Sequence, residues 1–166
     1  MQVPTRRADK LPKIKSDPHI TAAKYLELKD KLARLTKISR PRASEEVKRL
    51  ALMGDFSENA GYQLAKSRLR GINYRILDIE DLLKRAEIIE PQKNSDFVQL
   101  GNSVTVEVNG KIKEYIILGS NETNPGTGII SHNSPLGSAL IGQRIGDIIK
   151  IQLADKKVEY KITGIK

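Results

Sequence analysis

A chain of 166 residues has room for one domain or two small ones and excludes a large multidomain enzyme. With 4% aromatic residues, no Trp and no Cys, the core must be built from Leu, Ile and Val, and thiol catalysis, disulfides, Fe–S clusters and Cys-ligated zinc are excluded. The formal charge of +9 points to a polyanionic partner such as nucleic acid.

That charge is spread along the chain: five basic against two acidic residues in 1–20, fifteen against eleven in 21–90, and nine against seven in 91–166. No apolar run approaches the ~20 residues that span a bilayer. The first twenty residues lack the apolar stretch of a secretory signal and contain Asp9 and Asp17, which argues against a transit peptide. A soluble cytoplasmic protein without a membrane partner is expected.

Residues 1–19 place Pro4, Pro12 and Pro18 among Arg6, Arg7, Lys10, Lys13 and Lys15, which predicts a flexible basic tail. His19 and His132, the two histidines of the chain, lie too far apart in sequence, each without a carboxylate-rich setting, to be expected as a metal centre. From Ile20 to about Ile89 the composition is helical, interrupted by Pro41 and three Gly. Tyr62, Ala65, Leu69, Ile72, Ile76, Ile79, Leu83 and Ala86 repeat at steps of three and four, a heptad seam. Upstream, Tyr25, Leu28, Leu32 and Leu35 begin the same pattern, and Ser39, Ala43, Val47 and Leu50 continue it at wider spacing. This is a stutter near Pro41, where the missing N–H should kink or break the helix.

The short segment 54–57 between the two stretches requires an antiparallel hairpin over 20–90, each arm of roughly 30 residues and ~45 Å. Such a rod buries little for its length, so its use is reach in a monomer; a bundle with a second copy is the structural alternative. Beyond Pro91, Gly and β-branched residues take over, and a second domain is expected over 96–166. Val104, Val106 and Val108 alternate with polar residues, Asn109-Gly110 supplies a type I′ turn, and Lys111 to Leu118 returns. A Gly-rich loop over 127–131 follows, then a short helix capped by Ser134, opened by Pro135 and ended by Gly142, then a second hairpin of 147–153 and 157–165. The class is α+β: a coiled-coil hairpin followed by a small antiparallel sheet with one short helix.

The turn Gly54-Asp55-Phe56-Ser57-Glu58-Asn59 places two carboxylates three residues apart at the far end of the rod. One reading is a capping box, with Asp55 as N-cap and Glu58 reaching back. The other is a divalent-cation site, since Mg²⁺ prefers carboxylate oxygens, and a partner would have to complete its six ligands. Lys66, Arg68, Arg70 and Arg75, with Lys48 and Arg49 opposite, form a basic collar behind the turn, either as solvated coiled-coil flanks or as contacts to phosphates.

The stretch Gly54 to Tyr62 resembles the tip signature of the bacterial Gre transcript-cleavage factors, GreA and GreB. So do Ile20-Thr21, Arg40-Pro41, Ser134-Pro135-Leu136-Gly137 and Ala139-Leu140-Ile141-Gly142, in the right order over about residues 20–166. The resemblance implies an FKBP-like second domain that docks on RNA polymerase. It further implies insertion of the hairpin through the polymerase's secondary channel to stimulate the enzyme's own cleavage of backtracked nascent RNA. Asp55 and Glu58 align with the family's acidic pair and would share the second Mg²⁺ of the polymerase active site; Gly54, Ser57 and Asn59 would support the tip, and Lys66, Arg68, Arg70 and Arg75 would contact extruded RNA. The factor alone would hold no cofactor and would not itself be an enzyme. The sequence departs from the pattern at Gly61, usually acidic, and at Lys24, usually Gly, which keeps a Gre-like inhibitor in view. Two other classes are a peptidyl-prolyl isomerase, for which the second domain offers only Phe97, Tyr115 and Tyr160 as pocket aromatics, and a non-enzymatic nucleic-acid-binding coiled coil, which gives no reason for an acidic tip.

Overall fold

The computed structural model describes residues 16–53, 60–90, 95–153 and 156–166. Thr21 opens helix α1 (Ala22–Arg34), its hydroxyl accepting from the Lys24 amide and so satisfying a donor that the first turn leaves without a partner. The arm passes through a π-helical turn, Leu35–Ser39, into α2 (Arg40–Ala51), and α3 (Ala60–Arg85) runs back antiparallel to it. Every seam position is buried or half-buried, with Leu28, Ala43, Ala65, Ile76 and Ile79 the most enclosed.

The π turn is the form that the stutter takes. Seven seam steps use 25 residues from Tyr25 to Leu50 but 24 from Tyr62 to Ala86. A turn closed by the Arg40 amide on the Leu35 carbonyl, one residue wider than the α-helical bond, takes up the difference. Pro41 therefore falls in the first turn of α2, where its ring and missing donor are tolerated, and the arm continues without a break.

Helix α3 stops at Arg85, short of the expected Ile89, because Glu87–Ile88 (β2) pairs in parallel with His19–Ile20 (β1). The Glu87 amide donates to the Pro18 carbonyl and the Ile89 amide to the Ile20 carbonyl, each at 2.9 Å. Two successive β-branched residues and a following Pro91 favour extended backbone here. Ile20 is wholly buried against Leu28, Ile79 and Leu82. Residues 16–19, assigned to the tail by composition, are thus part of the hairpin base; residues 1–15 lie outside the described residues.

The second half forms β3 (Ser103–Val108), β4 (Lys111–Leu118), β5 (Ile129–Ser131), α4 (Pro135–Leu140), β6 (Ile148–Leu153) and β7 (Lys156–Ile165). The sheet order is β5-β4-β3-β7-β6. Asn109 and Gly110, at φ 51° and 71°, make the left-handed pair that a type I′ turn requires. The sheet is mixed: four strands pair antiparallel as expected, while residues 129–131, read from sequence as loop, add an edge strand parallel to β4. Ser134 caps α4 by accepting from the Gly137 amide at 3.0 Å. Val98, Val104, Val106, Ile117, Leu140 and Ile162, all at 0% exposure, form the core between sheet and helix. Among the described residues, no helix is long and apolar enough to cross a membrane.

Candidate functional site

Asp55 and Glu58, with Gly54, Ser57 and Asn59, lie outside the described residues. They join Met53 to Ala60, the ends of the two arms remote from β1 and β2.

Behind this segment the collar residues Lys66, Arg68, Arg70 and Arg75 are all exposed on α3, as are Lys48 and Arg49 on α2. Positions four and seven apart share a helical face, so Lys66 and Arg70 line one flank of the seam and Arg68 and Arg75 the other. Two of the four have partners within the hairpin. Arg68 Nη1 lies 3.3 Å from Glu46 Oε2 across the arms, and Lys66 Nζ stands 5.8 Å from the centroid of the Tyr62 ring. An ion pair whose side chains are 59% and 38% exposed contributes little, of order 0–1 kcal/mol, so Arg68 can turn to a phosphate at small cost. At the other end of α1, Lys24 Nζ pairs with Glu27 at 2.9 Å, which with its hydrogen bond holds the Glu27 carboxyl below its ordinary range.

Sequence reasoning missed the junction between the hairpin and the sheet domain. Glu122, in a 3₁₀ turn after β4, receives the Thr21 amide at 2.6 Å and the Thr21 hydroxyl at 2.7 Å, so the residue that caps α1 also clasps the second domain. Asp17 reaches the same turn. Its carboxylate accepts from the Ser120 amide at 2.7 Å and its carbonyl from Asn121 Nδ2 at 2.7 Å. Gly119 is required at this approach, because a Cβ there would run into the His19 backbone carbonyl.

Burial pushes the Asp17 carboxyl up, but hydrogen bonds from the Ser120 amide and from the His19 ring and amide, with His132 nearby, outweigh it and hold the group below its ordinary range. His19 and His132, judged too distant in sequence to meet, stand with ring centroids 5.2 Å apart at an edge-on 75°. The hydrogen bonds of Asp17 and Thr21 to the turn after β4, and the His132 amide on the Leu118 carbonyl at the end of β4, bring them together. No local spacing in the sequence signals contacts between residues more than a hundred positions apart.

Residues 19–88 match the family described as transcription elongation factor, N-terminal, and residues 92–166 the family described as transcription elongation factor, GreA/GreB, C-term. The transcription elongation factor GreA of Thermomicrobium roseum is 40% identical over 134 residues, covering 80% of this chain and 86% of that protein. That of Nitratiruptor sp. is 41% identical over 133 residues, covering 78% of this chain and 81% of its own. Among solved structures, GreA factor homolog 1 of Thermus thermophilus is 28% identical, with 89% of this chain and 97% of that one covered, at a TM-score of 0.41. The two matched stretches contain the helical hairpin and the sheet domain respectively, and relatives at this identity span both, so the chain belongs to the GreA/GreB family of transcription elongation factors.

Proposed function

We propose that this elongation factor works by delivery: the sheet domain of residues 96–166 docks on RNA polymerase from outside, and the hairpin carries Asp55 and Glu58 through the secondary channel to the active site. Binding RNA polymerase and stimulating its cleavage of nascent RNA is the known function of the family. The observation that supports the assignment of parts is the unbroken seam. Beyond the junction, from Leu28 out to Leu50 and Tyr62, the seam is closed by the two arms packing on each other, which gives a slender rod whose seam needs no second copy. A monomer acting on the polymerase is the working state.

Asp55 and Glu58 are hard oxygen donors suited to Mg²⁺, and two carboxylates leave most of its six positions to the polymerase, RNA phosphate and water. When bound there, Mg²⁺ supplies an activated water and stabilises charge on the leaving oxygen. The chain's own part is to bring charge and acceptors to the reacting place and to orient the water. Lys66, Arg68, Arg70 and Arg75 would hold the phosphates of the extruded RNA beside the rod. The factor accelerates the polymerase's reaction and has none of its own. Tyr160 is buried in the sheet core, so it is not available to line an open peptidyl-prolyl isomerase pocket.

The test is cleavage of RNA in stalled polymerase complexes at fixed Mg²⁺. Asp55→Asn or Glu58→Gln should reduce stimulated cleavage by roughly 100-fold or more while polymerase affinity stays nearly unchanged, because charge is removed and shape kept. Full cleavage by either variant defeats the delivery mechanism. If the unaltered protein slows the polymerase without promoting cleavage, the Gre-like inhibitor is the right reading, and Gly61 is the position to examine.

A further inference from the structure

The junction described above holds a feature that the delivery mechanism does not use. Asp17, His19 and His132 each present a ligand atom within 4.8 Å of the other two, from a partly buried position. His19 Nδ1 lies 2.9 Å from Asp17 Oδ1 and His132 Nδ1 lies 3.4 Å from Asp17 Oδ2. Ligands about 2.0–2.2 Å from a tetrahedral Zn(II) stand about 3.3 Å from one another, and two imidazoles on such an ion have ring centroids about 5 Å apart. The observed 2.9 and 3.4 Å, each to a different oxygen of the Asp17 carboxylate, and the 5.2 Å between the rings fall around these values, so a turn of that carboxylate to offer one oxygen, with small movements of the imidazoles, would admit the ion.

The surroundings fit as well. Each Asp17 carboxylate oxygen accepts one backbone amide, Oδ1 from His19 at 3.2 Å and Oδ2 from Ser120 at 2.7 Å, which orients the group and leaves a lone pair on each oxygen. His19 Nε2 lies 3.3 Å from Glu87 Oε2. A carboxylate on the far nitrogen of a metal-bound imidazole fixes its tautomer and raises its basicity. The charge also balances, since two carboxylates and two neutral imidazoles around a dication sum to zero. Among the described residues His132 Nδ1 stands 3.4 Å from the Leu118 carbonyl and 3.4 Å from Asp17 Oδ2, so the ion displaces only weak contacts there.

We propose that Asp17, His19 and His132 form a Zn(II) site, with Glu87 behind His19, that pins the base of the hairpin to the sheet domain. His19 belongs to β1, under the hairpin, and His132 follows β5 of the sheet, so one ion crosslinks the two parts. Three protein ligands leave a fourth position to water. The inference does not depend on the action of the tip.

The experiment is calorimetric titration of the full, chelator-treated chain with Zn(II) alone. One ion per chain is expected, with a Kd of about 1 μM or tighter. His19→Gln and His132→Gln should each weaken binding at least about tenfold, and Glu87→Gln by about tenfold. The Asp55→Asn/Glu58→Gln protein should bind as the unaltered chain does. Metal-free melting of each variant separates loss of ligand from loss of fold. Co(II) in place of Zn(II) adds a spectroscopic signature: an intense visible band of tetrahedral character in the unaltered chain, absent in the histidine variants. No binding below about 100 μM, or binding undiminished in the His19→Gln/His132→Gln double variant, overturns the proposal.

Discussion

The hairpin and the sheet domain use the same aliphatic residues and bury them to different depths. Among the described residues, six Val, Ile and Leu side chains of the sheet domain reach 0% exposure, whereas the hairpin reaches it only at Ile20, at its base. Beyond Ile76 toward the far end, the most enclosed seam positions are Ala43 and Ala65, which bring little apolar area, and Leu52, Met53 and Leu64 stand exposed. A two-helix rod has a single interface, so it cannot surround a side chain as a sheet covered by a helix can. Cohesion is therefore concentrated in the domain and the junction and thins along the rod, the distribution that a reaching device requires.

That contrast can be broken in three places. The largest effect is expected in the sheet core: Ile162→Ala should cost about 2–5 kcal/mol in denaturant unfolding, against about 1 kcal/mol for Leu50→Ala near the far end of the rod. Equal losses would mean that the hairpin is as deeply held as the domain. A smaller effect belongs to the junction. Glu122→Gln leaves one acceptor oxygen for the two Thr21 donors and removes the charge, and should cost about 1.5–3 kcal/mol, read as faster amide exchange at Thr21 and in β1 and β2 with the sheet core unchanged. If the core loosens in step, the two parts unfold as one. The smallest stability effect is expected in the collar: neutralising Lys66, Arg68 and Arg70 together should alter unfolding by no more than about 0.5 kcal/mol per site. The triple variant should nevertheless impair cleavage of long extruded RNA more than short, and flatten the salt dependence by roughly 0.7 in log–log slope for each phosphate no longer neutralised. A lowered melting temperature with an unchanged salt slope would assign these residues to the solvated flanks of the rod.

What could be read in the sequence was whatever has a local signal. The heptad steps from Tyr62 to Ala86, the Asn109-Gly110 turn and the Ser134 cap each carry their geometry in consecutive residues, and each appears where expected. The strands β1, β2 and β5 escaped because two or three residues hold no periodicity, and their partners are remote in the chain. For the same reason the pairing of Arg68 with Glu46, 22 positions away, and the meeting of His19 with His132 had no sequence signal. The reading of the acidic segment rests on residue type and family likeness alone, and the segment lies outside the described residues.

The wide turn at Leu35–Ser39 has a consequence for how such a rod can vary. In a continuous α-helix each residue inserted or removed swings everything beyond it by about 100° about the axis. Here the odd residue is confined to one turn, and the layers on either side, Tyr25 to Leu35 and Ala43 to Leu50, both still face α3. The turn acts as an indexing joint: the arm can differ in residue count from its partner while the distal end keeps its bearing toward whatever it is aimed at.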